Sequence, residues 1–213
     1  MHEPAVVLTD LVLAILGAVL GWRLTGQGRV ILGGLASAAF WGAVFHAFFP
    51  ARTATTAGFI AWLLVAVSIL VVAAGLLDLA LTMLMARLTP GGSPGSTRAR
   101  RAIVLGYCAV FLALLLFVDE SFSMIVRLYA PILLLALAAA ALEAIRARSR
   151  AWALVALGLT LSAAAALLQQ ARVALHPVYF DHNAVYHVVQ AAALVVLYVG
   201  FHERRTDSAA RAG

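Results

Sequence analysis

Lysine is absent from this sequence, and acidic side chains are scarce: nine Asp and Glu stand against fifteen basic residues, all of them arginine. There is a single cysteine, Cys108, so no disulfide can close within the chain and no cysteine-based zinc motif can form. Charged residues make up only 11% of the 213 positions, where soluble domains carry roughly 25%. A soluble globular class is excluded. No phosphate-binding glycine loop, Ser-His-Asp set or nucleotide fold is present. Met1-His2-Glu3-Pro4 lacks a basic n-region and no A-x-A site follows, so the first apolar run reads as a retained helix.

What remains is 64% hydrophobic, with a mean hydropathy of +1.02. This composition defines an all-α, polytopic membrane protein. A net charge of +6 and a pI near 10.4 could suit nucleic acid. The arginines fall between apolar spans, however, so orientation in a bilayer explains them and no nucleic-acid partner is expected. Alanine and arginine richness without lysine suits a GC-rich bacterial genome, hence a multi-pass inner-membrane protein surrounded by membrane lipids.

Seven apolar spans form a single seven-helix domain over residues 1–201, at about 6–24, 30–49, 56–84, 102–118, 121–145, 151–175 and 183–201. Each is near the roughly 20 residues that cross a hydrocarbon core. Pro50 stops the second, and His176-Pro177 breaks the sixth. A Gly- and Pro-punctuated linker covers 88–101, and a polar tail, expected to be disordered, covers 202–213. Twelve of the fifteen arginines lie on the first, third and fifth connections and the tail; the other side holds Arg52, Arg127 and Arg172. The positive-inside rule then puts the N-terminus outside and the C-terminus in the cytoplasm.

That orientation brings polar residues to matched depth. His46 lies about one turn below the outer end of the second span, and His187 about one turn below that of the seventh. Asp10 enters the first span from the same side. Asp119, Glu120, His176, Asp181 and His182 lie at the outer mouth. Ionisable groups at membrane depth are costly and so are functional candidates. Imidazole is the commonest zinc ligand, and a catalytic zinc keeps three protein ligands plus water. His46 and His187 supply two, with His182 or Asp10 as the third. His182 stands five residues before His187, about 140° around a regular helix, so it converges only from the entering loop. Asp181 or Asn183 as N-cap would leave it there. Asp10 is alternatively a partner that sets an imidazole tautomer. Asn183 shares the His187 face and could orient substrate or a bound water, as could Gln190. Asp78, deep in the third span, is expected to pair with an arginine such as Arg87 rather than to line a pathway, and Glu143 to pair with Arg146. Tyr179, Phe180, Tyr186 and Trp41 suit an aromatic belt.

Seven spans, Phe45-His46 near the end of the second, and Asn183-Ala184-Val185-Tyr186-His187 opening the seventh resemble the CREST superfamily of membrane hydrolases, which includes alkaline ceramidases and adiponectin-receptor-like proteins. The resemblance implies a zinc held by one histidine of the second helix and two of the seventh, and hydrolysis of a lipid amide by zinc-bound water. This chain departs from the pattern at Asn183, where the superfamily has histidine, and at Gly42, where it has serine. The start of the third span offers Thr53, Thr55 and Thr56 but no aspartate. The expectation is an outward-facing zinc site, with His46, His182 and His187 as ligands and Asp10 and Asn183 assisting, acting on a lipid-like amide or ester. The alternative is a non-enzymatic receptor, transporter or assembly factor with a polar, pH-responsive outer pocket.

Overall fold

The computed structural model describes residues 4–49, 54–88, 94–176 and 180–210, and within these every side chain except those of 94 and 207–210. Met1 to Glu3, Pro50, Arg52, Thr53, residues 89–93, Pro177, Tyr179 and residues 211–213 lie outside the described residues. Seven α-helices follow in order: α1 (Pro4–Trp22), α2 (Gly26–Phe48), α3 (Thr56–Leu88), α4 (Pro94–Phe117), α5 (Phe122–Ala147), α6 (Arg150–Gln170) and α7 (His182–Ala210). All seven are long and apolar enough to cross a membrane. Among the described residues there is no strand, only an isolated antiparallel bridge between His176 and Phe180.

Local chemistry explains most of the helix ends. Gly26 opens α2 at φ 57°, a left-handed conformation that glycine adopts without a Cβ penalty. The Ser121 and Ser149 hydroxyls accept from the Met124 and Trp152 N–H groups and cap α5 and α6. The α5 helix closes on Arg148 in the left-handed region. After Gln170 the chain turns through Arg172 at φ 53°, so α6 stops short of the expected 175. Pro94 is the first residue of α4, a position where its missing N–H costs nothing, so residues 94–101 are helix rather than linker. Likewise α7 continues to Ala210, well past Phe201.

The helices join by close approach of small residues, which suits a medium where apolar surface alone does not drive association. Helices α6 and α7 share the most extensive interface, followed by α1 with α2 and α2 with α3. A Cβ added at Gly158 would sit 2.6 Å from Leu197 Cγ, and one at Gly200 would sit 2.8 Å from Val155 N. Contact of α1 with α7 closes this side of the bundle. The main core gathers Leu32, Leu76, Val155, Leu159, Leu194 and Leu197. A smaller cluster of Ala66, Leu70, Phe111, Leu115 and Ile125 holds α4 against α3 and α5. Apolar side chains such as Leu8, Phe117 and Leu167 remain exposed on the outside.

Asp78 does pair with an arginine, though a different one, and Glu143 has a different partner from the one expected. Asp78 pairs with Arg100, not Arg87, at Oδ1–Nε 3.2 Å. Gln27 Nε2 donates to Asp78 Oδ2 at 2.7 Å and to Thr82 Oγ1 at 3.0 Å, and Arg100 donates to the same Thr82 hydroxyl. Arg87 Nε donates to Glu143 Oε1 at 3.0 Å, so Glu143 is taken by α3 rather than by Arg146. The reason is the start of α4. With Pro94 as its first residue, Arg100 stands about 9 Å into that helix and approaches the level of Asp78.

Candidate functional site

His187, Asp10 and Thr9 meet where α7 crosses α1. His187 Nε2 lies 3.0 Å from Asp10 Oδ1, and Nδ1 lies 2.9 Å from Thr9 Oγ1. Asp10 is 3% exposed and His187 7%, so water competes little for either group. His187 sits in the second turn of α7 and Asp10 in the second turn of α1; the closure of α1 on α7 brings them together. The Tyr186 ring meets the imidazole edge-on at 5.1 Å.

The third element is α2. Its Gly42 faces the aspartate: a Cβ there would lie 3.1 Å from Asp10 Oδ2. The carboxylate thus occupies the space that a side chain at position 42 would need. His46 follows Gly42 by four residues, which is one turn along the same face of α2. It lies within electrostatic reach of His187 and is partly buried. The structure therefore gathers three of the expected site residues, Asp10, His46 and His187.

It does not gather the other two in the same way. The Asp181 carboxylate accepts from the N–H groups of Asn183 and Ala184 at 3.0 and 2.9 Å and caps α7. Contrary to the expectation, the Asp181 cap does not leave His182 on the entering loop: it makes His182 the first residue of the helix. His182 lies on the helix, about 140° from the face of His187, and does not converge on it as the third ligand. Asn183 accepts a hydrogen bond from Gln169 of α6 at 2.9 Å, and Gln190 donates to Ser162 of α6 at 3.1 Å. Both amides therefore tie α7 to α6.

These residues as arranged do not fit a zinc ion. Among the described residues no group of three or more His, Cys, Asp or Glu could hold a metal. Both ring nitrogens of His187 are already engaged, one by Asp10 and one by Thr9. A metal on Nε2 would have to displace the carboxylate.

The residue that sequence reasoning missed is Thr9. Its hydroxyl lies 2.9 Å from the Ala5 carbonyl, 3.0 Å from the Val6 carbonyl and 2.9 Å from His187 Nδ1. A hydroxyl has one proton to donate. If that proton goes to Nδ1, the imidazole is neutral and gives its Nε2–H to the Asp10 carboxylate. If it goes to a carbonyl of α1, Nδ1 must carry a proton of its own. Beside an ionised Asp10, that state is the imidazolium. One proton taken up by the ring thus turns the Thr9 hydroxyl from α7 back to α1, while all the heavy-atom contacts persist.

Outside the spans, the Asp119 carboxyl between α4 and α5 is held below the usual carboxylate range. The hydrogen bond of the Ser121 side chain is the main cause, and the Ser121 N–H, donating at 2.9 Å, adds to it.

The fold and this centre define an all-α protein of seven membrane-length helices with a buried histidine–aspartate pair near one end of the bundle. Residues 5–206 match the model of DUF6962, a family of unknown function, and the chain belongs to that family. No curated protein matches the chain, and no solved structure does.

Proposed function

We propose that this is a non-enzymatic multi-pass membrane protein, of receptor or transporter type, whose His187–Asp10 centre faces outward and changes protonation. The observation that carries this reading is the buried imidazole bonded on one side to a carboxylate and on the other to a hydroxyl that must choose between α7 and α1. Histidine is the side chain whose charge changes nearest physiological pH, and small changes of surroundings move it. Here the change would be felt at the contact of α1 with α7, with His46 of α2 beside it. The orientation belongs to the same proposal and rests on the arginine distribution.

Ceramidase-like hydrolysis needs a ligand set that these residues do not present, so no hydrolytic step is assigned to them. The test is infrared difference spectroscopy of the lipid-reconstituted protein across a pH titration, beside elemental analysis of the same sample. Coupled carboxylate and imidazole bands that vanish in both Asp10→Asn and His187→Gln are expected, without stoichiometric metal. One zinc per chain, lost on His187→Gln, would overturn the reading in favour of a metal centre. Bands that do not respond to pH would also overturn it.

A further inference from the structure

The end of the bundle opposite His187 has more positive charge than its own acids can balance. Its described side chains include eleven arginines but only three acids, Asp78, Glu143 and Glu203. All three acids are consumed internally. Asp78 pairs with Arg100 between α3 and α4, Glu143 with Arg87 between α5 and α3, and Glu203 with Arg150 between α7 and α6. Arg204 is folded over the Trp152 ring, its guanidinium carbon 3.8 Å from the centroid. Arg29 donates to the Leu24 and Trp22 carbonyls.

Arg205 donates to the Arg23 carbonyl, and five arginines are left outside these contacts: Arg23 just after α1, and four around α4 and α5. Arg98 and Arg101 lie on the first turns of α4, and Arg146 and Arg148 lie where α5 gives way to α6. All four are exposed, and none has an acidic partner among the described residues. The ion pairs of Arg100 and Arg87 dock α4 and α5 on α3 at Asp78 and at Arg87, so the two arginine pairs lie at different levels along this end of α3. Bare apolar side chains stand beside them: Leu88 is 74% exposed, Ile145 75% and Ile103 45%. Guanidinium above an apolar surface matches the layering of a phospholipid, phosphate above acyl chain. Arg forms paired hydrogen bonds with phosphate oxygens.

We propose that this arginine rim binds the phosphate headgroups of anionic phospholipids in the leaflet it faces. The proposal rests on the reading that the seven helices span a bilayer, and it is independent of the histidine centre. Each arginine held near an anionic surface strengthens association by at most about fivefold. Four together can select anionic lipid over zwitterionic lipid strongly, and salt weakens that selection.

The experiment compares the full chain in nanodiscs of phosphatidylcholine alone and of phosphatidylcholine mixed with phosphatidylglycerol. The readouts are thermal stability and the lipids retained in native mass spectrometry. The wild type should retain phosphatidylglycerol preferentially and melt higher in its presence. The Arg98→Gln, Arg101→Gln, Arg146→Gln, Arg148→Gln variant should lose both effects while matching the wild type in phosphatidylcholine. If the fourfold variant does not fold, the two pairs substituted separately should each weaken the preference. Equal retention of both lipids by the wild type would overturn the proposal, as would a preference that survives the substitutions. Equal stabilisation by inorganic phosphate would overturn the assignment to lipid.

Discussion

Replacing Asp10 by alanine, His187 by alanine, and both together gives a double-mutant cycle on the contact that organises the site. The two groups are 3.0 Å apart, and both are buried. A neutral hydrogen bond between membrane helices typically couples its partners by about 0.6 kcal/mol and by no more than about 1.7 kcal/mol. A bond with one charged partner contributes about 1.5–3 kcal/mol. Asp10 as a carboxylate makes the bond to His187 charge-assisted, so a coupling of about 1.5–3 kcal/mol is expected. Asp10→Ala alone should cost more at a pH where His187 is an imidazolium, because an unpaired buried charge adds to the loss. Such a loss is about 3–5 kcal/mol for a fully buried pair. Reversible denaturant unfolding in bicelles, at two pH values, reads both quantities. Coupling within about 0.5 kcal/mol of zero, the range of independent sites, would refute the contact itself.

Four other outcomes follow from the packing and the polar contacts. Gly158→Ala forces a methyl group to 2.6 Å from Leu197 Cγ and should destabilise by about 1–3 kcal/mol in the same unfolding assay, with partial rescue by Leu197→Ala. Asp78→Asn leaves the Arg100 guanidinium without its counter-charge. The pair is about a quarter exposed, so screening should hold the loss to about 1–2 kcal/mol, seen as earlier proteolysis between α3 and α4. Ser121→Ala removes both the α5 cap, worth about 1 kcal/mol, and the main cause of the low Asp119 titration. In the wild type the Asp119 contribution is fully present above the usual carboxylate range and is lost as pH falls through its lower folded value. In the variant the Asp119 carboxyl should titrate at higher pH, nearer the usual range, so its contribution is smaller and is fully lost at a higher pH, which carboxyl-resolved NMR can follow. Chelator treatment should leave the melting temperature unchanged, as tracked by intrinsic tryptophan fluorescence.

The helices were legible because long apolar runs separated by arginine and Gly-Pro punctuation leave little other choice for a backbone in lipid. Their ends were less legible. Hydropathy placed Arg98, Arg100 and Arg101 in a linker, whereas Pro94 starts a helix that carries them. That single shift misassigned the partner of Asp78, because Arg100 could reach it only from a helix. At the site, depth alone brought Asp10, His46 and His187 together, since residues at matched distance from the same end of the bundle share a level whichever way their helices run. Rotation about the helix was harder to read, and it separates His182 from His187. Gly42 is the signal that could have pointed to Asp10: a glycine one turn before His46 leaves room for a neighbour's carboxylate. Thr9 carried no comparable mark, because threonine in an apolar helix usually bonds its own backbone, as this one also does.

The most direct test of the account is nitrogen-15 NMR of histidine-labelled protein in lipid, with His187 assigned by substitution. Both His187 ring nitrogens should report hydrogen bonds, and the Nε2 signal should move when Asp10 becomes Asn and the Nδ1 signal when Thr9 becomes Val. A His187 spectrum unaffected by either substitution, or one with a nitrogen bound to metal, would contradict it.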